Sequence, residues 1–280
     1  MGDEEPFVVM GEGDVKPWLK SPFILVSNVF ENRNLLKHLI GRDFKNTYHG
    51  HILGYTWSML EPLLFTGIFY MVLIILRNSP DNLMPLKIML GILMYSAFSR
   101  TAQACTLSLT RNSALIQQIY FPREIILVAI SGFQSIRLAL SLIIVVPYMI
   151  YASLAPTSFL LLLPLAAVSA VLFGQGIGML LVIVHVRFRD TEQILALIIR
   201  AGFYLSGVFY GAEHVPTEWL EIFFLNPIAV FIEMGRCAIF GDIGVLEVRH
   251  ITRAVIVSLA TFYLGSIVFM RNERKAVLHL

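Results

Sequence analysis

Six stretches of this chain, roughly 55–76, 86–109, 125–151, 159–186, 193–211 and 253–270, are apolar over a length close to a membrane crossing. A helix rises about 1.5 Å per residue, so about 20 mainly apolar residues cover the roughly 30 Å of hydrocarbon in a bilayer. The run SFLLLLPLAAVSAVLFGQGIGMLLVIVH contains no Asp, Glu, Lys or Arg at all. Repeated six times, such runs imply an all-α polytopic membrane protein with six transmembrane helices. Overall composition agrees: 57% of the 280 residues are hydrophobic and 14% charged, against about 45–50% and about 25% in soluble domains. A formal net charge of +2 gives no reason to expect a nucleic-acid partner.

Where the charges lie sets an orientation. Of the 21 Lys and Arg, thirteen fall before the first run, in the segments near 111–123 and 187–189, or in the tail; the alternate segments hold Arg77, Lys87, Arg236 and Arg249. Basic residues concentrate on the cytoplasmic side, so both termini are expected inside. The segment 213–250 is the exception to simple spanning. Asn226-Pro227 divides PTEWLEIFFL from IAVFIEMGRCAIF, and the pieces carry Glu218, Glu221, Glu233 and Arg236. At 1.5 Å per residue, 217–225 and 228–240 reach only ~13 and ~20 Å. One continuous span would bury three charges at ~2.5–3.5 kcal/mol each. A re-entrant helix pair between spans five and six, dipping in from the outer side, is expected instead. Cys105 and Cys237, the two cysteines, would then lie near opposite faces, unable to pair.

The domain plan that follows is a cytoplasmic lead-in over 1–30, an amphipathic interface helix over 31–54, a transmembrane domain over 55–270 with outer re-entrant helices at 213–250, and a cytoplasmic tail over 271–280. MGDEEP lacks the basic-then-apolar pattern of a cleaved signal peptide. The lead-in mixes Gly, Pro and charge and reads as loosely structured. In NRNLLKHLIGRDFKNTYH, Leu36, Leu39, Ile40 and Phe44 share a helical face, with Lys37, His38, Arg42 and Lys45 elsewhere, which suits a helix lying in the cytoplasmic interface.

Several chemistries find no residues to carry them. There is no G-x-x-x-x-G-K-[ST] loop for ATP phosphates. The aspartates at 3, 14, 43, 81, 190 and 242 are scattered singly, without paired carboxylates for Mg-diphosphate chemistry. The histidines lack metal spacing. GQGIG at 174–178 reads as a close-packing stripe inside a span. Arg100, Arg137 and Arg200 lie within spans two, three and five, where ionisable groups face a bundle interior or a wet path; Arg137, midway along its span, is the one expected to pair or to act. Phe65 and Phe69 share one helical face, and Phe203 and Tyr210 another; these rings either pack or flank a sliding polymer. In TRNSALIQQIYFPRE (110–124), Asn112 or Ser113 caps a two-turn helix that Pro122 ends, and Leu115, Ile116, Ile119 and Tyr120 form its apolar stripe. That helix either docks in a partner's groove or rests on the membrane.

RDFKNTYHGHILGYTWSMLEPLL resembles the R-D-x-K-x-x-Y…L-G-x-x-W-x-x-L-x-P-L lead into span one of permeases that export bacterial surface polysaccharides, the membrane subunits of O-antigen, capsule and teichoic-acid ABC exporters. NSALIQQIYFPREI, RFRDTEQIL, SGVFY and NPIAVFIEMGR are similar, in order, to later segments of that family. The resemblance implies a non-enzymatic homodimer coupled to two separately encoded ATPase subunits, which hold the ATP and Mg; this chain carries no cofactor. It implies a polyprenyl-diphosphate-linked polysaccharide or polyol-phosphate polymer as substrate. The helix at 110–122 becomes the coupling helix, with Leu115, Ile116, Gln118, Ile119, Tyr120, Phe121, Arg123 and Glu124, joined by Arg189 and Asp190 of the next inner loop. Arg42, Asp43 and Lys45 mark the interface helix beside it, and Phe69, Tyr70, Arg137, Phe203, Tyr204, Phe209 and Tyr210 the channel. A drug exporter of the same superfamily and a membrane enzyme acting on polyprenyl-linked sugars remain as alternatives.

Overall fold

The computed structural model describes residues 21–77, 81–118 and 121–277, and among them every regular element is helical. The helices are α1 (Ser21–Glu31), α2 (Arg33–Tyr48), α3 (Trp57–Arg77), α4 (Met84–Thr106), α5 (Ser108–Arg111), α6 (Ser113–Gln118), α7 (Glu124–Leu142), α8 (Val145–Tyr151), α9 (Leu162–Arg187), α10 (Thr191–Leu205), α11 (Thr217–Phe223), α12 (Pro227–Phe240) and α13 (Val248–Val277).

The core is built on α9, which lies between α4 and α13 and packs most extensively against both. Small residues permit this. A Cβ on Gly174 would sit 2.6 Å from the Phe98 carbonyl oxygen, and one on Gly178 2.3 Å from the Cβ of Cys105, both on α4. Gly176, between them, faces the other way: its Cβ would meet the α13 backbone at Thr261 and Phe262 within 2.6 Å. The stripe read from the sequence thus serves two neighbours, the i and i+4 glycines one helix and the middle glycine the other. Ser258 closes the α13 contact by donating to the Ser169 carbonyl at 2.7 Å.

By length and composition, four segments qualify as spans: Gly54–Ile75, Glu124–Tyr151, Ser158–Arg187 and Val248–Glu273. The bent pair α11–α12 is a fifth if counted as one. The six-span expectation is met in part. Its second span is α4, long enough at 23 residues but diluted by Lys87, Arg100 and Gln103; enclosed by other helices rather than lipid, it needs no uniformly apolar surface. Its fifth is α10, whose 15 residues reach only about 22 Å. The expected break at Asn226-Pro227 turns the chain by 106°. Asn226 caps α12 by accepting from the Ile228 amide at 3.0 Å, with Pro227 in the first helical turn, a pairing suited to a helix start.

Pro62 lies inside α3, where it removes one backbone donor and frees the carbonyl four residues earlier. That carbonyl belongs to Ser58, and the Ser141 hydroxyl of α7 donates to it at 2.8 Å. At the lead-in the structure differs from expectation: residues 21–31 form α1, packed on α13 and α7. The apolar face of α2 also turns inward. Leu39 is buried, and the Phe44 ring meets Phe133 of α7 edge-on at 4.7 Å, while Lys37, His38 and Lys45 stay exposed. Cys105 and Cys237 are both free and buried.

Candidate functional site

A groove of about 390 Å³ opens between α3, α4 and α10, lined by Phe65, Phe69, Tyr95, Phe203 and Tyr204, with Glu61, Arg100 and Arg200 among its polar residues. Phe203 lies at the centre of its rings, 5.9 Å from Phe69, 5.2 Å from Tyr95, 5.6 Å from Tyr204 and 5.0 Å from Phe209. Tyr95 fastens α10 to α4 by donating its hydroxyl to the Ile199 carbonyl. Gly202 leaves it room, since a Cβ there would stand 2.9 Å from the Tyr95 oxygen. The structure therefore gathers Phe69, Phe203, Tyr204 and Phe209 in one place. Tyr210 stands beside them, its hydroxyl 3.4 Å from the Tyr204 carbonyl and its ring against Phe223. Tyr70 packs at the edge of the core and does not line the groove.

In the wall of the groove one acid holds two bases. Arg100 donates to Glu61 Oε1 at 2.6 Å and Arg137 to Glu61 Oε2 at 3.0 Å. Arg137 was expected to pair or act; its partner Glu61 escaped the sequence reading, although an acid five residues into the first apolar helix is itself a signal. The cluster carries one positive charge in excess. The Nε of Arg137 is buried and makes no hydrogen bond among the described residues. Beyond it a polar cleft of about 470 Å³ contains Arg42, Asp43, Asn46, Arg111, Gln134 and Arg137, with Arg42 and Asp43 paired at 2.9 Å. A smaller cavity of about 240 Å³ joins Arg100, Arg111 and Glu192. The cavities share walls: Arg100 lines both the smaller cavity and the aromatic groove, and Arg111 and Gln134 line both the smaller cavity and the polar cleft.

The segment after α4 folds as two short helices, α5 and α6. Ile119 and Tyr120 of its expected stripe lie outside the described residues. The other two stripe residues turn inward: Ile116 is buried and Leu115 packs on the same internal cluster, with Phe121 beside them. Ala114, Gln117 and Gln118 form the exposed face. A helix this short is not stable alone, and its apolar side is spent on its own protein. Glu124 opens α7 almost fully buried, accepting from Asn28 Nδ2 of α1 at 2.6 Å, and the positive end of the helix suits its carboxylate. Arg123 is half-buried, whereas Arg189 and Asp190 are exposed in the turn between α9 and α10, next to the Glu192 that shares a cavity with Arg111.

Residues 34–240 match the family model of the ABC-2 type transporter. The chain belongs to the ABC-2 transporter family. Among curated relatives it is similar to an "O-antigen export system permease protein RfbA" of Klebsiella pneumoniae, 26% identical over 238 residues, covering 84% of this chain and 91% of the relative. A protein of the same name from Myxococcus xanthus is 24% identical over 252 residues, covering 88% and 95%.

At the other end of this ABC-2 transporter, away from α2 and α6, one guanidinium organises the chain between α10 and α11. Arg236 donates from Nε to Lys87 O at 3.2 Å, from Nη1 to Tyr210 O at 2.9 Å and Glu233 Oε1 at 2.6 Å, and from Nη2 to Gly207 O and Val208 O at 2.9 and 3.0 Å. All five of its N–H donors are used. Glu233 also accepts from the Ala212 amide at 3.1 Å. Two glycines make room. Gly207 takes φ +73°, and a Cβ on Gly91 would fall 2.8 Å from the Val208 oxygen.

Proposed function

We propose that this chain is the channel-forming permease subunit of an ABC transporter that exports a polyprenyl-diphosphate-linked polysaccharide or polyol-phosphate polymer across the bacterial cytoplasmic membrane. It acts as a homodimer with two ATPase subunits, which hold the ATP and Mg. Each subunit spans the membrane six times with both termini in the cytoplasm, and α11–α12 re-enters from the outer side. The O-antigen export permeases to which the chain is similar support a polysaccharide as the cargo.

The observation that carries this reading is the groove. Its mouth exposes aromatic faces beside Glu61, Arg100 and Arg200, and charges at membrane depth face water or protein, not lipid. A second copy closing over the α3–α10 face would turn the groove into one wall of a wet channel. Phe69, Phe203 and Tyr204 would there offer flat apolar surfaces to sugar rings, which let a chain slide without fixing one position.

Coupling is assigned to the exposed side of α5–α6. With Leu115 and Ile116 turned inward, Arg111, Ala114, Gln117 and Gln118 are left for the ATPase, supported by Arg189 and Asp190. Loss of this chain should strand polymer inside the cell, and the parent sequence should restore it to the surface. The double variant Gln117→Asp/Gln118→Asp should insert normally yet fail to co-purify the ATPase or restore export. Unchanged surface polymer without the chain would refute the export function; normal ATPase recovery and export in the double variant would refute the coupling face.

A further inference from the structure

Glu61 lines the aromatic groove and is bonded to Arg137, which lines the polar cleft. The cleft also holds Arg42 and Arg111, and the groove Arg100 and Arg200. Its two oxygens each take one guanidinium. A single carboxylate cannot satisfy what faces it: the cluster keeps a net positive charge, and the buried Arg137 Nε has no acceptor among the described residues. A phosphate group has the opposite balance. It offers more acceptor oxygens than a carboxylate and more than one negative charge, and guanidinium forks match it in paired hydrogen bonds.

We propose that Glu61 is a resident counter-ion, displaced from Arg100 and Arg137 by a phosphate-bearing group of the passenger as that group moves from the cleft into the groove. This rests on the export reading above. Between passengers, the carboxylate keeps two membrane-embedded arginines paired, which limits the cost of leaving buried charge uncompensated. When a phosphate arrives, the arginines exchange partners without ever being bare. The exchange also sets affinity. A site occupied most of the time by its own carboxylate binds weakly, because only the fraction with Glu61 released is competent, and a passenger that must leave benefits from weak binding. Phosphate on a lipid diphosphate and phosphodiester within the polymer share this chemistry.

The test uses the permease–ATPase complex in nanodiscs and equilibrium dialysis of labelled farnesyl diphosphate, with farnesol as the uncharged control and a soluble glycerol-phosphate oligomer as the second phosphate source. Glu61→Gln should tighten phosphate binding about tenfold, the gain expected if a tenth of the parent sites are free of Glu61. Arg137→Gln, which leaves a neutral Glu61–Arg100 pair and so disturbs folding least, should weaken it by a similar factor. Farnesol should bind all variants alike. Tightening for farnesyl diphosphate supports exchange on the lipid headgroup, and tightening for the oligomer supports exchange on the polymer. Equal or weaker binding of both phosphates in a folded Glu61→Gln complex overturns the proposal. So does binding indifferent to Arg137→Gln. If export and ATPase recovery persist while the probes ignore Glu61, the exchange is wrong and the export function stands; failure to recover the ATPase with the parent chain refutes the export reading itself.

Discussion

Replacing Arg236 with methionine keeps an unbranched stem as far as the Nε position and removes all the donors. Four backbone carbonyls, those of Lys87, Gly207, Val208 and Tyr210, lose their partner, and Glu233 loses its cation. Glu233 is only 7% exposed, so its carboxylate would remain buried with a single amide donor. Breaking one side of a buried ion pair typically costs about 3–5 kcal/mol, which at about 1.4 kcal/mol per factor of ten raises the open population of the 206–214 segment by hundreds to thousands of times. Hydrogen–deuterium exchange of the purified protein in nanodiscs reads that population directly. Exchange should rise at Gly207–Ala212 and stay unchanged along α9. The double variant Glu233→Gln/Arg236→Met removes the stranded charge while Gln Oε1 still accepts from Ala212, and should recover at least about 2 kcal/mol. Unchanged exchange in the single variant, or a double variant no better than the single, would show that the guanidinium does not hold this segment in place.

Gly176→Leu should destabilise the protein by about 1–3 kcal/mol or prevent its assembly, because the added carbons meet α13 backbone that cannot step aside; Gly67→Leu, with nothing within 4 Å of its Cβ position, is the matched control in a thermal-stability assay. Phe203→Ala should lower export several-fold with ATPase recovery intact, and Tyr70→Ala should not, as measured by surface polymer. A cysteine at Thr217 should react with an impermeant label from outside and one at Gln118 should not; the reverse pattern would invert the orientation.

What the sequence disclosed follows periodicity and local chemistry. The glycine stripe, the Asn226-Pro227 break and the pairing of Arg137 were legible because a small residue, a helix stop and a charge in hydrocarbon each carry a cost that few arrangements relieve. The Glu61 partnership was not, since three residues separated by 39 and 76 positions meet through helix packing alone. Within the α6 stripe, Leu115 and Ile116 face inward for a related reason. An amphipathic pattern states that one face is covered, and Leu115 and Ile116 are covered by their own chain. The second and fifth apolar runs fold as an α4 whose polar residues are enclosed by neighbouring helices and an α10 of 15 residues, shorter than the run that predicted it.

The glycine contacts on both sides of α9 bear on how force passes through the molecule. Backbones this close cannot slide without collision, so α4, α9 and α13 should move as one stiff beam. By contrast α10 meets that beam through few contacts, chiefly the Tyr95 tether and the rings around Phe203, and α3 leaves most of its surface outward. Deformation under load therefore concentrates in α3 and α10, the two helices that bear most of the groove's aromatic rings. A push delivered near Gln117 and Gln118 would leave the beam unchanged in length and alter the width of the groove.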